Sequence, residues 1–127
     1  MRKVVVDMQN ALFADAISTT LTNFDSDFQM FQSESPEKTK ELCDYTQADI
    51  LIMEVTAYTP WKLEERMIIR NEVKEKNPDC KIVLVVDEIT EQQLAARVRQ
   101  AKKDGVIDNF IYGSVSSTYL SAVIDTL

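Results

Sequence analysis

The chain has 127 residues, of which 45% are hydrophobic and 28% are charged, as in an ordinary globular protein. That length suits one domain with its own core, and the net charge of −7 argues against binding nucleic-acid phosphates. No apolar run is long enough to span a membrane, and Asp7 interrupts the apolar run near the N-terminus before it reaches signal-peptide length. We therefore expect a soluble, cytoplasmic domain that binds neither nucleic acid nor membrane.

The hydrophobic pattern alternates between the two-residue period of strands and the longer period of helices. The predicted strands are Lys3–Val6, Asp27–Gln32, Asp49–Val55, Lys81–Val86 and Val106–Tyr112. The predicted helices are Met8–Thr22, residues 35–47, a third from Pro60 to Asn77, a fourth from Thr90 to Asp104, and a fifth after Ser116. Five strands alternating with five helices predict a doubly wound α/β sandwich.

Turn and cap residues set several of these boundaries. Ser35 and Ser116 are predicted N-caps, and Thr90 with Gln93 forms a predicted capping box. Gly105 suits a left-handed helix end. The helical residues predicted to face the core are Leu12, Phe13, Ala16, Ile17, Leu21, Leu42, Tyr45, Leu63, Met67, Val73, Leu94, Val98, Ala101, Leu120, Val123, Ile124 and Leu127.

The two cysteines, Cys43 and Cys80, lack metal-ligand spacing, and the chain has no histidine to join them. We predict that both are free thiols, buried or half-buried, as is usual in a reducing cytosol. No cofactor is expected from these residues.

Several segments together resemble the receiver domains of two-component response regulators over nearly the whole chain. These segments are Val4–Asp7, Asp49–Glu54, Leu63 with Ile69-Arg70, and Phe110–Ser116 followed by Tyr119-Leu120. The resemblance implies a flavodoxin-like, five-stranded parallel sheet of order 2-1-3-4-5 with five helices. It also implies a single receiver-like domain over residues 1–127, with no output domain in this chain.

Receivers move a phosphoryl group from a histidine kinase to an aspartate, with Mg²⁺ held by acidic side chains and a lysine and a hydroxyl on the phosphoryl oxygens. Here Glu54 stands at the acceptor position, and Asp7 is followed by Met8 where a second acid is usual. Val86 replaces the hydroxyl residue and Gly113 replaces the lysine. Because phosphoryl transfer depends on neutralising the spreading negative charge, these departures predict a degenerate pseudo-receiver that has lost the reaction.

The remaining acidic residues at the strand ends are Asp7, Glu54 and Asp87, and no cation stands at the aligned positions. One interpretation is a residual Mg²⁺ or Ca²⁺ site formed by Asp7, Glu54 and the backbone carbonyl of Thr56. The favoured interpretation is that these acidic side chains form a solvated rim, or make hydrogen bonds to the loop 56–61, whose sequence departs from that of the family. It is favoured because two carboxylates seldom hold Mg²⁺ tightly without a phosphate. No metal is therefore expected.

Two aromatic features adjoin this rim. Tyr58 and Trp61, with Thr56, are possible ligand contacts in the crevice, although aromatic residues there more often fill the space of a lost site. Phe110 stands at the switch-aromatic position of the family. With Val86 in place of the hydroxyl residue, we expect Phe110 to be fixed in one rotamer.

The predicted function is a non-enzymatic signalling domain that contacts a protein partner, or a second copy, through the fourth helix, fifth strand and fifth helix. The alternatives are a small-molecule sensor that uses the crevice at the strand ends, or a working receiver with an unusual acceptor. The fourth helix also carries the basic residues Arg97 and Lys103, which we interpret as a solvated face. Residues expected on the docking surface are Ala95, Ala96, Arg99, Lys102, Tyr119, Ala122 and Asp125.

Overall fold

A five-stranded parallel sheet lies between two layers of helices in the computed structural model, which describes residues 1–127. The strands are β1 (Arg2–Asp7), β2 (Phe28–Gln32), β3 (Ile50–Glu54), β4 (Lys81–Val86) and β5 (Asn109–Tyr112). The helices are α1 (Ala11–Phe24), α2 (Pro36–Thr46), α3 (Leu63–Lys76), α4 (Gln92–Lys103) and α5 (Ser117–Asp125). The strand order β2-β1-β3-β4-β5 confirms the predicted topology.

The sheet register places the two acidic strand ends side by side. β1 lies between β2 and β3, and Asp7 at the end of β1 pairs with Met53 in β3. Glu54 follows Met53 directly, so both carboxylates lie at the carboxyl edge of the sheet. Ligand sites of open α/β sheets are found at this edge.

Side chains alternate between the two faces of each strand and form two cores. On one face, Val5, Leu51 and Leu84 pack with residues of α2, α3 and α4. On the other face, Val4 and Ile52 pack with residues of α1 and α5. The central strands are apolar on both faces because helices cover both sides.

Several predicted core positions are wrong. Leu12 is 81% exposed and Tyr45 is 88% exposed, and Ala16 is exposed as well. The buried stripe of α1 runs through Ala14, Ile17 and Leu21, and that of α2 through Thr39, Cys43 and Thr46. In α2, small and hydroxyl side chains form the buried face, so Tyr45 is exposed, whereas Leu42 is partly buried against the core.

Some predicted boundaries also differ from the structure. α4 begins after Glu91, without the predicted Thr90–Gln93 capping box, because the Thr90 N–H donates to Asp87 in a turn before the helix. α3 begins at Leu63, later than Pro60, and β5 begins at Asn109, later than Val106.

The predictions for Ser116, Gly105 and the two cysteines are confirmed. Ser116 caps α5 by accepting a hydrogen bond from the Tyr119 N–H, and Gly105 has a φ of 74° beyond the end of α4. Both cysteines are free and buried. None of the helices combines the length and apolar character needed to cross a membrane.

Candidate functional site at the strand carboxyl ends

Asp7 is a buried carboxylate at the end of β1, and only 1% of the residue is exposed. A buried charge is costly unless a partner of opposite charge and several hydrogen bonds compensate it. The partner is Arg66 of α3, which is 0% exposed. Its Nη1 lies 2.6 Å from Asp7 Oδ2 and its Nη2 lies 3.2 Å from Asp7 Oδ1, so the pair is bidentate.

Arg66 also holds the backbone at the ends of two neighbouring strands. Its Nη2 donates to the Asp7 carbonyl at 3.1 Å, and its Nε donates to the Glu54 carbonyl at 2.7 Å. The planar guanidinium can make these bonds together because its donors form a rigid fork. Arg66 therefore ties α3 to the carboxyl ends of β1 and β3 at once.

A hydroxyl chain continues this network into α2. The Thr39 hydroxyl donates to Asp7 Oδ2 at 2.6 Å, and the hydroxyl oxygens of Thr39 and Ser33 lie 2.7 Å apart. Asp7 Oδ2 thus accepts from both Arg66 and Thr39, and Asp7 Oδ1 accepts from Arg66. The polar network links β1, β3, α2 and α3 below the surface.

No cation stands at the aligned positions, but Arg66 of α3 supplies one from below the rim. The guanidinium lies against the Asp7 carboxylate, and it also donates a hydrogen bond to the Glu54 backbone carbonyl. Both oxygens of the Asp7 carboxylate accept hydrogen bonds from the protein, and Met8 supplies no second carboxylate beside it. No group of three or more His, Cys, Asp or Glu side chains is arranged to hold a metal ion. The donor set does not fit the Mg²⁺ that the fold family implies.

Glu54 is half-buried at the end of β3, and its carboxylate holds the loop after β1. Its Oε1 accepts from the Gln9 N–H at 2.8 Å and from the Asn10 N–H at 3.3 Å. Asn10 in turn caps α1 by accepting from the Phe13 N–H. Glu54 therefore fixes the start of α1 through its negative charge, in a position where backbone N–H groups favour an anion.

Asp87 lies beyond the end of β4 and shapes the next loop. Its Oδ1 accepts from the Ile89 N–H at 3.0 Å and from the Thr90 N–H at 3.3 Å. Hydrogen bonds from the Thr90 side chain, the Thr90 N–H and the Ile89 N–H lower the pKa of the Asp87 carboxyl below its usual value.

A cavity of about 310 Å³ lies between Glu54 and Asp87. Its other lining residues are Asn10, Phe13, Val85, Ile89, Gly113 and Ser114. Asp7 does not line it, because Arg66 and Thr39 hold Asp7 below the surface. Of the three predicted acidic residues, Asp7 is therefore part of a buried ion pair, whereas Glu54 and Asp87 lie at an open crevice.

Two of the three degenerate positions, Met8 and Val86, have packing roles, and Gly113 has none. Met8 is half-buried and packs against the α1/α5 core, and Val86 is buried at the end of β4. Gly113 has no left-handed φ, and a Cβ built there would meet only the Val86 carbonyl at 3.9 Å. The absence of a lysine at position 113 is therefore not imposed by the backbone.

The loop of residues 56–61 is held by hydrogen bonds within its own backbone and lies outside the crevice. The Thr56 N–H donates to the Trp61 carbonyl at 2.9 Å, and the Trp61 N–H donates to the Tyr58 carbonyl at 2.8 Å. Tyr58 is 68% exposed and Trp61 is half-buried, and neither lines the cavity beside Glu54. Thr56 lines a different cavity, of about 360 Å³, between this loop and α4. None of the three predicted ligand contacts therefore lines the cavity between Glu54 and Asp87.

Phe110 is half-buried on β5 and packs beside Tyr112, with ring centroids 5.4 Å apart. Lys102 of α4 places its Nζ 5.9 Å from the Phe110 ring centroid, and Arg99 donates to the Tyr112 hydroxyl at 2.9 Å. α4 and β5 therefore form one continuous surface at this edge of the sheet.

Arg66 and Thr39 are not among the predicted site residues, although the position of Arg66 carries a usable signal. Arg66 lies three residues after Leu63 and three before Ile69, on the stripe of α3 that faces the core. An arginine at a core position of an amphipathic helix requires a buried anion, and Asp7 was available. Thr39 lies four residues before Cys43 on the corresponding face of α2.

Solved structures with this fold include response regulators that match almost the whole chain. One from Thermotoga maritima is 14% identical, with a TM-score of 0.77 and coverage of 99% of this chain and 96% of that chain. An orphan response regulator of H. pylori is 17% identical, with a TM-score of 0.75 and coverage of 98% and 94%. A CheY-like protein, TadZ, from Pseudomonas aeruginosa PAO1 is 20% identical, with a TM-score of 0.72 and coverage of 99% and 92%.

No protein-family model matches the chain, and no curated protein matches its sequence. At these identities the structural likeness shows the fold, and function has to be argued from the site. The chain therefore has the fold of a response-regulator receiver, or CheY-like, domain.

Proposed function

We propose that this chain is a non-enzymatic, receiver-type signalling domain in which Arg66 permanently closes the phosphoacceptor site. The observation that carries the proposal is the buried contact of Arg66 with Asp7 and with the Glu54 carbonyl. In a working receiver this region must admit a divalent cation and an incoming phosphoryl group. Here the guanidinium of Arg66, a cation that belongs to the chain itself, already neutralises the buried Asp7 carboxylate.

The chemistry of the surrounding residues supports the same conclusion. Glu54 Oε1 accepts from two backbone N–H groups, so an attack on phosphorus by this carboxylate would remove the negative charge that those groups face at the start of α1. The positions that would neutralise the phosphoryl oxygens are Val86 and Gly113, which donate no side-chain hydrogen bond. Phosphoryl transfer depends on such neutralisation, so the domain acts in one fixed state.

Incubation with acetyl phosphate and Mg²⁺, followed by intact-mass measurement, tests the proposal. We expect no phosphoryl adduct at any Mg²⁺ concentration. A stoichiometric adduct that hydroxylamine removes would contradict the proposal and would favour a receiver with an unusual acceptor.

The output surface of the proposed domain is formed by α4, β5 and α5. α4 contains no acidic residue, whereas the whole chain carries a net charge of −7. Arg99 and Lys102 lie against the aromatic residues of β5, and Tyr119 of α5 is 55% exposed. We propose that a protein partner with acidic side chains docks here without phosphorylation, in the cytoplasm.

The predicted composition of this surface needs two changes. Ala95 is buried and cannot contact a partner, whereas Ala96 and Ala122 are exposed. Asp125 is paired with Arg2 at 2.9 Å and is therefore already engaged within the chain.

A small-molecule sensor is a second candidate, and the cavity between Glu54 and Asp87 favours it. Its volume of about 310 Å³ lies at the lower end of the range for small-molecule sites. A metabolite panel in a thermal-shift assay tests this function. Stabilisation that is lost in both Asp87→Asn and Phe13→Ala would support it.

A further inference from the structure

The two edge strands of the sheet, β5 and β2, differ in how well they are protected against pairing with a strand of another molecule. At β5, Arg99 and Lys102 of α4 lie against the strand. At the opposite edge, β2 has the sequence FQMFQ, with no charge, proline or glycine. Its register with β1 runs without interruption, so no bulge bends it away. Natural edge strands usually carry one of these protections, because unpaired backbone groups invite another strand.

The free hydrogen-bonding groups of β2 can be assigned from its pairing with β1. The Asp27 carbonyl accepts from β1 at 3.0 Å, and the Ser33 N–H donates to β1 at 2.9 Å. Successive residues of a strand alternate in the side to which their backbone groups point. The N–H and C=O groups of Met30 and Gln32 therefore point away from the sheet.

An uncovered side-chain surface lies beside this edge on α2. A groove of about 450 Å³ is lined by Gln32, Lys38, Glu41, Leu42 and Tyr45, among others. Tyr45 is 88% exposed and Leu42 is half-buried. An edge strand and an exposed strip of α2 thus lie next to each other. Of the two apolar residues in this strip, Tyr45 is exposed and Leu42 packs partly against the core.

We propose that this edge is a self-association surface, where β2 of a second copy pairs antiparallel to form a continuous ten-stranded sheet. A two-fold axis at Met30 makes the contact isologous, so it closes as a dimer. The two Met30 residues exchange two hydrogen bonds, and each Gln32 N–H donates to the Phe28 carbonyl of the other copy. The Phe28 N–H is not left unpaired, because it donates to the Asp25 carbonyl within its own chain at 3.1 Å.

Charge complementarity favours a second copy as the occupant. Lys38 and Glu41 lie about one turn apart on α2, and the two-fold axis sets the two α2 helices antiparallel. Each Lys38 is thereby brought towards the other copy's Glu41. The existing partner of Lys38 is the exposed Glu34, at 3.1 Å, and such exposed pairs exchange readily. The uncharged strand also lets two chains of net charge −7 approach without charged side chains between their backbones.

Light scattering coupled to gel filtration, over a concentration series, tests this dimer. We expect the wild-type mass to double from 14.5 kDa as the concentration rises. Gln32→Pro removes an outward N–H that β1 does not use, and Tyr45→Arg places a charge on the exposed strip. Both variants should stay monomeric. The matched controls are Gln32→Ala, which keeps the N–H, and Tyr119→Arg on α5, and both should dimerise like the wild type.

Amide hydrogen exchange of the wild type gives an independent readout. We expect exchange at Met30 to slow at least tenfold between dilute and concentrated protein. A wild type that stays monomeric with unchanged exchange at Met30 would overturn the proposal, and so would species larger than the dimer. A dimer lost in Tyr119→Arg but kept in Gln32→Pro and Tyr45→Arg would also overturn it. That last result would leave the proposed function intact, because it places self-association on the output surface.

Discussion

Replacement of Arg66 by methionine tests how the buried site is held together. Both Arg66 and Asp7 are almost completely buried, at 0% and 1% exposure. The substitution keeps an unbranched side chain in the core but leaves the Asp7 carboxylate with only Thr39 as a side-chain donor. Removing one partner of a buried ion pair costs about 3–5 kcal/mol in the free energy of unfolding.

Urea unfolding followed by circular dichroism measures this cost. With an m-value of about 2 kcal/mol per M, the midpoint should fall by roughly 1.5–2.5 M. Arg70→Met is the matched control on the same helix. Arg70 donates to the Val106 carbonyl and to Asn71 but has no carboxylate partner, so its loss should cost only about 1–2 kcal/mol.

The double variant Asp7→Asn/Arg66→Met separates the ion pair from packing. Because neither charge remains buried, the double variant should lose less stability than the sum of the two single losses, by about 2 kcal/mol or more. Two results would refute the reasoning: a cost below about 1 kcal/mol for Arg66→Met, or single costs that simply add in the double variant.

Three further predictions concern the same region. Glu54→Ala should destabilise the protein by about 1–2 kcal/mol in urea unfolding, since two N–H groups lose their acceptor, whereas Glu54→Asp should retain part of that stability. The receiver residues are restored by Met8→Asp, Glu54→Asp, Val86→Thr and Gly113→Lys. This fourfold variant should show no phosphoryl adduct by intact mass while Arg66 remains. An adduct should require the replacement of Arg66 as well. Burial raises the pKa of Cys43 to about 12 and of Cys80 to about 11, so a thiol reagent at pH 8 should react only after unfolding. Because these folded-state pKa values lie above the ordinary 9.0, the contribution of the two thiols to stability should be constant below pH 9 and should decrease above it. An adduct on the folded protein at pH 8 would contradict the assigned burial.

The order of elements could be predicted from the sequence because each strand is a short β-branched or apolar run between helical patterns. The run Lys81–Val86 is buried almost throughout and has the same bounds in the structure. The position of Glu54 at the carboxyl ends of the strands could also be predicted, since a charge that ends a buried strand must lie where the strand meets solvent. These features depend on local pattern alone.

The contacts within the site depend on tertiary packing and could not be predicted in the same way. The partner of Asp7 lies 59 positions later in the chain, and its helix was interpreted from its apolar residues alone. Thr39 was overlooked for the same reason, since a hydroxyl on α2 gives no periodic hydrophobic signal. Tyr45 shows the opposite failure, because a large aromatic residue at helical spacing indicates a core position but is exposed here.

The central claim is that Arg66 occupies the site in a single, permanent arrangement. Nitrogen-15 NMR of the Arg66 Nε–H group tests it directly, since this group donates to the Glu54 carbonyl at 2.7 Å. We expect a slowly exchanging Nε–H signal that does not change when Mg²⁺ and beryllofluoride, a phosphoryl mimic, are added. A saturable shift of that signal, together with shifts at Asp7 and Glu54, would show that the site opens to the ligands of a working receiver and would contradict the account.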